Sequence, residues 1–221
     1  MPEGATSGVL SVLSPYGEAT SSAGFRVLSW TSLDIGYDYG DIPETVQQGD
    51  MLRVKASGWG VKDASDGFRY AFESASGNLE LTAFVSSFSG FQASQAGVML
   101  RSHTGPDSAF AFLYTDPYGN LQYQWRTGDG LQSQSVWLRG LTLPFWIRLV
   151  RYGNLISAAY SLDGKVYLFE QNATQAIELP NAVLAGPATS SGREGEYATA
   201  EYMYITINPY YGPIFGVTGS P

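Results

Sequence analysis

The sequence predicts an all-β chain folded as an antiparallel β-sandwich or jelly roll. Three observations predict it. Apolar and polar residues alternate with a period of two through much of the chain. Gly-Asn and Asp-Gly dipeptides stand between these runs, where tight turns belong. No window carries a convincing helical stripe of three turns. Alternation marks strands with one buried face, and many short strands joined by turns mark a sandwich.

The elements follow in chain order. Residues 1–29 read as an N-terminal arm, Gly-, Ser- and Thr-rich around the apolar runs Val9–Leu13 and Phe25–Trp30. Residues 30–207 carry the body. Phe68, Tyr70 and Phe72 alternate with Arg69, Ala71 and Glu73; Leu79, Leu81, Ala83 and Val85 alternate with Glu80, Thr82 and Phe84. Gly77-Asn78 sits between these two runs. After Gly119-Asn120, Leu121, Tyr123 and Trp125 alternate with Gln122, Gln124 and Arg126. Ile147 and Leu149 flank Arg148 ahead of Gly153-Asn154. Asp163-Gly164 predicts a two-residue hairpin between 158–162 and 165–169. Met203, Ile205 and Ile207 alternate with Tyr202, Tyr204 and Thr206. Residues 208–221 form a tail whose prolines and glycines argue against a central strand.

Composition narrows the function. The chain has 221 residues and no cysteine, which excludes disulfides and thiolate metal sites. Charged residues make up 14%, against about 25% in ordinary domains. Twelve Lys and Arg are scattered among twenty carboxylates, for a net charge of −8. A nucleic-acid binder needs a basic stripe, so nucleic acid is set aside as a partner. No run approaches 18 apolar residues, so no transmembrane helix is expected. The N-terminus lacks a positive region, and Val9–Leu13 is too short for a signal core. Low charge with much Tyr, Gly, Ser and Thr points to an extracellular, cell-surface or virion setting.

Four segments carry a resemblance. They are Trp30-Thr31-Ser32-Leu33-Asp34-Ile35-Gly36; Asp66 to Tyr70 with Gly77 to Val85; Ala96-Gly97-Val98-Met99-Leu100-Arg101; and Trp146 to Asn154 with Tyr160 to Gly164. In order and spacing residues 30–207 resemble the DUF1349-type domains of the concanavalin A-like lectin/glucanase superfamily, akin to laminin-G modules. The resemblance implies a concanavalin A-like jelly roll, used for binding or adhesion in many contexts. From the residues themselves, Gly97 suits a bend or close packing, and Arg101 and Arg148 suit pairing with carboxylates at sandwich edges.

Candidate chemistry is sparse. The one histidine, His103, has no Gly-x-Ser-x-Gly elbow to serve. Glycoside hydrolysis needs two spaced carboxylates; the Glu-x-Asp-x-Glu strand signature is absent, and Glu194, Glu196 and Glu201 are the nearest set. No catalytic residue is assigned, and the chain is expected not to be an enzyme. No cofactor is expected beyond calcium, whose candidate ligands are Asp34, Asp38 and Asp41, with Asp63 and Asp66 as a second cluster. Sugar binding needs an exposed ring with planar hydrogen-bonding groups. Trp59, Tyr114, Tyr118, Asn120 and Trp125 are the candidates.

Two functions therefore compete. In the first, the chain is a non-catalytic structural or adhesive subunit of an extracellular filament or virus particle. Its partners are then copies of itself or other surface subunits, contacted through Val9, Leu10, Val12, Leu13, Tyr210, Tyr211, Ile214 and Phe215. In the second, it is a carbohydrate-binding module with glycans as partners. A glycoside hydrolase comes third.

Overall fold

The computed structural model describes residues 8–25, 29–36 and 43–212. All regular structure among them is β-strand. Two seven-stranded antiparallel sheets make the body. The first contains β3 (Thr31–Ile35), β6 (Phe68–Ser76), β8 (Gln95–Arg101), β9 (Phe110–Thr115), β10 (Asn120–Arg126), β11 (Gln134–Gly140) and β15 (Ala182–Ser190), in the order β11-β10-β9-β8-β15-β6-β3. The second contains β4 (Glu44–Gln48), β5 (Met51–Gly58), β7 (Leu79–Ser89), β12 (Phe145–Tyr152), β13 (Leu155–Ser161), β14 (Leu168–Ala176) and β16 (Arg193–Pro209), in the order β14-β13-β12-β7-β16-β5-β4. A separate two-stranded sheet pairs β1 (Gly8–Ser14) with β2 (Gly17–Phe25).

The alternation places the core. Leu79, Leu81, Ala83 and Val85 of β7 and Phe145, Ile147 and Leu149 of β12 face Val98, Leu100, Ala111, Leu113 and Leu121 across the sandwich. Close approach of neighbouring strands does the rest. A Cβ on Gly97 would overlap the Leu113 carbonyl oxygen on β9, so the close packing expected there is real. Gly153-Asn154 closes a two-residue hairpin between β12 and β13, whereas Gly77-Asn78 is a two-residue turn that carries the chain from the first sheet to the second; both glycines hold positive φ. Asp163-Gly164 closes no two-residue hairpin. There Tyr160 pairs with Leu168, so the connection is a longer loop. The Asp163 carboxylate organises it by accepting from the Lys165 and Val166 amides, which removes the need for a tight turn.

The first sheet is buried on both sides, which alternation alone did not reveal. Phe68, Tyr70 and Phe72 do not face the sandwich core; Ala71 does. The aromatic set joins Met99, Phe110, Phe112 and Tyr114 in a second apolar cluster on the outer face. Loop residues close over that cluster around a buried ion network. Asp66, Arg101 and Arg126 are all fully buried. The Asp66 carboxylate accepts from Arg101 Nη1 at 2.7 Å, and from Arg126 Nη2 at 2.7 Å and Nη1 at 2.9 Å. Other donors of the two guanidiniums tie down loop carbonyls of Lys62, Asp63, His103, Gly105 and Ser108, while Arg126 Nε–H is buried without a partner among the described residues. Arg101 thus pairs with a carboxylate in the interior, not at a sandwich edge. Burial pushes its guanidinium below the ordinary range, and Asp66 opposes that shift.

The arms behave differently from each other. The β1–β2 hairpin exposes Val9, Val12, Leu13 and, fully, Tyr16. The C-terminal tail instead begins on its own sandwich. Pro209 pairs with Leu79 at the end of β16, and the Tyr210 amide donates to the Asn78 carbonyl. Tyr211 beyond it is exposed. Ile214 and Phe215 lie outside the described residues, and nothing is assigned to the Leu10 side chain.

Candidate functional site

The residues singled out from the sequence do not form one site. Trp125 is buried in the core between the sheets, with no ring face to offer a ligand. Tyr114 is 7% exposed and stacked on Phe112 at 4.9 Å. Burial is the main cause that pushes its hydroxyl pKa up. Trp59 is half-buried and donates Nε1–H to the Ser65 carbonyl. Tyr118 is well exposed on the loop between β9 and β10. Asp116 shapes that loop by accepting from the Tyr118 and Asn120 amides and the Asn120 side chain. The Asn120 amide group is therefore already engaged.

The calcium set fares no better. Asp34 accepts from Arg69 Nη1 with both oxygens at 3.1 Å. Asp38 and Asp41 lie outside the described residues. Asp66 belongs to the arginine network above. Among the described residues no group of three or more His, Cys, Asp or Glu could hold a metal.

A different surface brings the needed groups together, on the outer face of the second sheet. Trp146 on β12 stands directly opposite Phe84 on β7, with ring centres 5.1 Å apart. The third ring, Tyr204, comes from β16 by a local irregularity. Up to that point Tyr202 is in the core and Met203 pairs with Phe84. The pairing register then shifts between Met203 and Thr206, and Tyr204 adopts φ 51°. This bulge reverses the reading made from the sequence, which put Met203 inward and Tyr202 outward. A bulge re-aims side chains, and left-handed backbone at a non-glycine costs about 1–3 kcal/mol. Here it sets Tyr204, half exposed, in a stack with Trp146 at 5.6 Å and 20°.

Polar groups continue the face along β12. Arg148 donates Nε–H to Thr82 Oγ1 at 2.9 Å and pairs with Glu80 at 3.2 Å. Its guanidinium lies 3.6 Å over the Tyr167 ring. The pairing expected for Arg148 is thus present, on an inner strand rather than a sheet edge. Gly164 backs the Trp146 indole so closely that a Cβ there would meet the ring. The rings and the guanidinium are therefore held in place before any ligand arrives.

No protein-family model and no curated protein matches the chain in sequence. Solved structures do match in shape. A functionally unknown protein from Saccharomyces cerevisiae aligns with TM-score 0.66 at 13% identity, over 83% of this chain and 97% of its own. A legume lectin-like domain from Entamoeba histolytica aligns with TM-score 0.52 at 7% identity, over 76% and 88%. A β-glucanase from Bacillus licheniformis aligns with TM-score 0.51 at 10% identity, over 82% and 92%. The fold is the concanavalin A-like jelly roll. The likenesses carry this fold and not the narrower DUF1349 family.

Within this jelly roll the aromatic face was missed because the alternation was read only for its apolar half. Phe84 and Arg148 fell on the strand face taken as solvent-exposed. An aromatic in that half of the pattern, Phe84 beside Leu79, Leu81, Ala83 and Val85, was the available signal.

Proposed function

We propose that this chain is a non-catalytic carbohydrate-binding module whose glycan lies on the outer face of β12, β7 and β16. The stacked Trp146–Tyr204 pair, set up by the bulge at Tyr204, carries the reading. Sugar sites combine flat apolar surface with a few fixed hydrogen-bonding groups, and Arg148 and Glu80 supply those beside the rings. The lectin-like fold is compatible with it. Of the carboxylates nearest a glycosidase pattern, Glu201 supports a binding role over hydrolysis. Glu201 accepts from Arg53 and Ser87, and these bonds hold its carboxyl below the ordinary range. A glycosidase acid needs the opposite shift. A glycan array followed by calorimetric titration tests the reading. Tyr204→Ala is expected to weaken binding at least about tenfold, or ~1.4 kcal/mol, while Tyr118→Ala and Trp59→Ala leave it unchanged. Binding lost with Tyr118 or Trp59 and kept without Tyr204 moves the site to the loops. Turnover of β-glucan or xylan abolished by Glu80→Gln would overturn the non-catalytic part.

The N-terminal hairpin favours a second, compatible reading, assembly with further copies of the chain at a cell or particle surface. An isolated two-stranded hairpin is marginal in water. This one has exposed apolar groups and, across 8–25, a single charge at Glu18. Removing residues 1–25 is expected to leave the body folded and to reduce particle size in light scattering. An unchanged particle size refutes the assembly role.

A further inference from the structure

The carbohydrate site proposed above ends at Arg148 only if the strand ends there, and it does not. Positions 146, 148, 150 and 152 of β12 share the outer face, because side chains alternate along a strand. Neither pairing of this strand, with β7 or with β13, carries a register shift. Trp146 therefore opens a row that runs through Arg148 and Val150 to Tyr152, which is 46% exposed. Val150 between them is buried and offers no exposed surface of its own. The row spans roughly 20 Å, at about 3.3 Å per residue. It has a ring at each end and a fixed polar pair near its middle.

The charges on the row select its ligand. Arg148 is matched by Glu80, and both side chains are largely covered. The pair carries no net charge, and the whole chain carries −8. A glycan rich in carboxylate or sulfate would meet no unmatched cation here and would be repelled at longer range. A neutral sugar meets two rings for its C–H faces and, beside the Tyr167 ring stacked on it, a guanidinium whose five N–H donors outnumber its bonds to Thr82, Glu80 and Tyr167.

Resting on the carbohydrate-binding reading, we infer that the ligand is an internal stretch of an extended neutral polysaccharide, laid along β12 from Trp146 to Tyr152. The site grips several consecutive sugars and not a chain end. Tyr152 is a specificity-determining residue for chain length.

Oligosaccharide ladders of two to six units from β-glucan, xylan and mannan test this by titration, with polygalacturonate as the anionic comparison. Affinity is expected to rise with length beyond two units in one ladder. Tyr152→Ala is expected to lower affinity for the six-unit member about fivefold and to leave that for the two-unit member unchanged. At equal polymer mass, shortening the chains should not raise the binding capacity, since ends are not the target. An affinity that levels off at two units while Trp146→Ala still abolishes binding overturns the extended track and leaves the carbohydrate reading standing. Tighter binding to polygalacturonate overturns the neutral selection. Binding to no ladder overturns both readings together.

Discussion

Replacing Asp66 with alanine is expected to cost about 3–5 kcal/mol of folding stability, the range for removing one partner of a buried ion pair. The argument starts from count. Two fully buried arginines share this one carboxylate, so its loss strands two positive charges with no counter-ion in the network. Burial already disfavours the charge on Arg101, and Asp66 is the principal group opposing that. The loops over the first sheet lose their anchor as well, since Asp66 also accepts from the Lys62 amide. For a chain of this size the melting temperature should fall by roughly 6–20 °C. Arg53→Ala is the comparison. It breaks the half-exposed pair with Glu201, and such pairs are worth about 1 kcal/mol or less. Equal effects of the two changes in urea unfolding would refute this account. The variant also separates the sites. Below its melting range, Asp66→Ala loosens the loop that bears Trp59 and spares the opposite sheet. Glycan binding should therefore survive in it.

How much of this was legible follows from the range over which each feature acts. The hairpin at Gly153-Asn154 and the tight turn at Gly77-Asn78 depend on a few neighbouring residues, and the sequence shows them. The close approach at Gly97 was legible because glycine in an apolar strand has few other reasons to be there. Asp66 was misread as a calcium candidate beside Asp63, because its partners lie 35 and 60 residues away. Nothing in the local pattern announces them. The first sheet's second buried face was hidden for a related reason. Its cover comes from loops, and alternation only says which residues share a face, not whether the far face stays wet. The bulge at Tyr204 was hidden because every residue from Tyr202 to Ile207 suits a regular strand, and a bulge changes register without changing composition. Asp163-Gly164 misled in the opposite direction. A strong hairpin dipeptide was overridden by a longer loop that its own carboxylate stabilises.

Trp146→Ala is expected to weaken glycan binding by more than any other single change on the outer face, by at least about 2 kcal/mol, the scale of a binding hot spot. Trp146 is the ring nearest to both others, which stand 6.4 Å from each other. It contacts Phe84 on one neighbouring strand, and Tyr204 stacks on it through the bulge. Removing it takes away the largest ring and the surface that orients Tyr204. Trp146→Phe keeps a flat ring in the same row and should retain part of the affinity. The two rings act as a unit, so the double variant Trp146→Ala/Tyr204→Ala should lose less than the sum of the single losses. A coupling of about 0.5–3 kcal/mol is the range for residues in contact. Folding has to be followed in parallel. Trp146 is half-buried and backed by Gly164, so unfolding stability should fall by about 1–2 kcal/mol, within the range of ordinary single changes. A strictly additive double variant with full folding would mean that the rings bind independently. The bulge at Tyr204 would then have no part in shaping the site, and the reading built on it would fall.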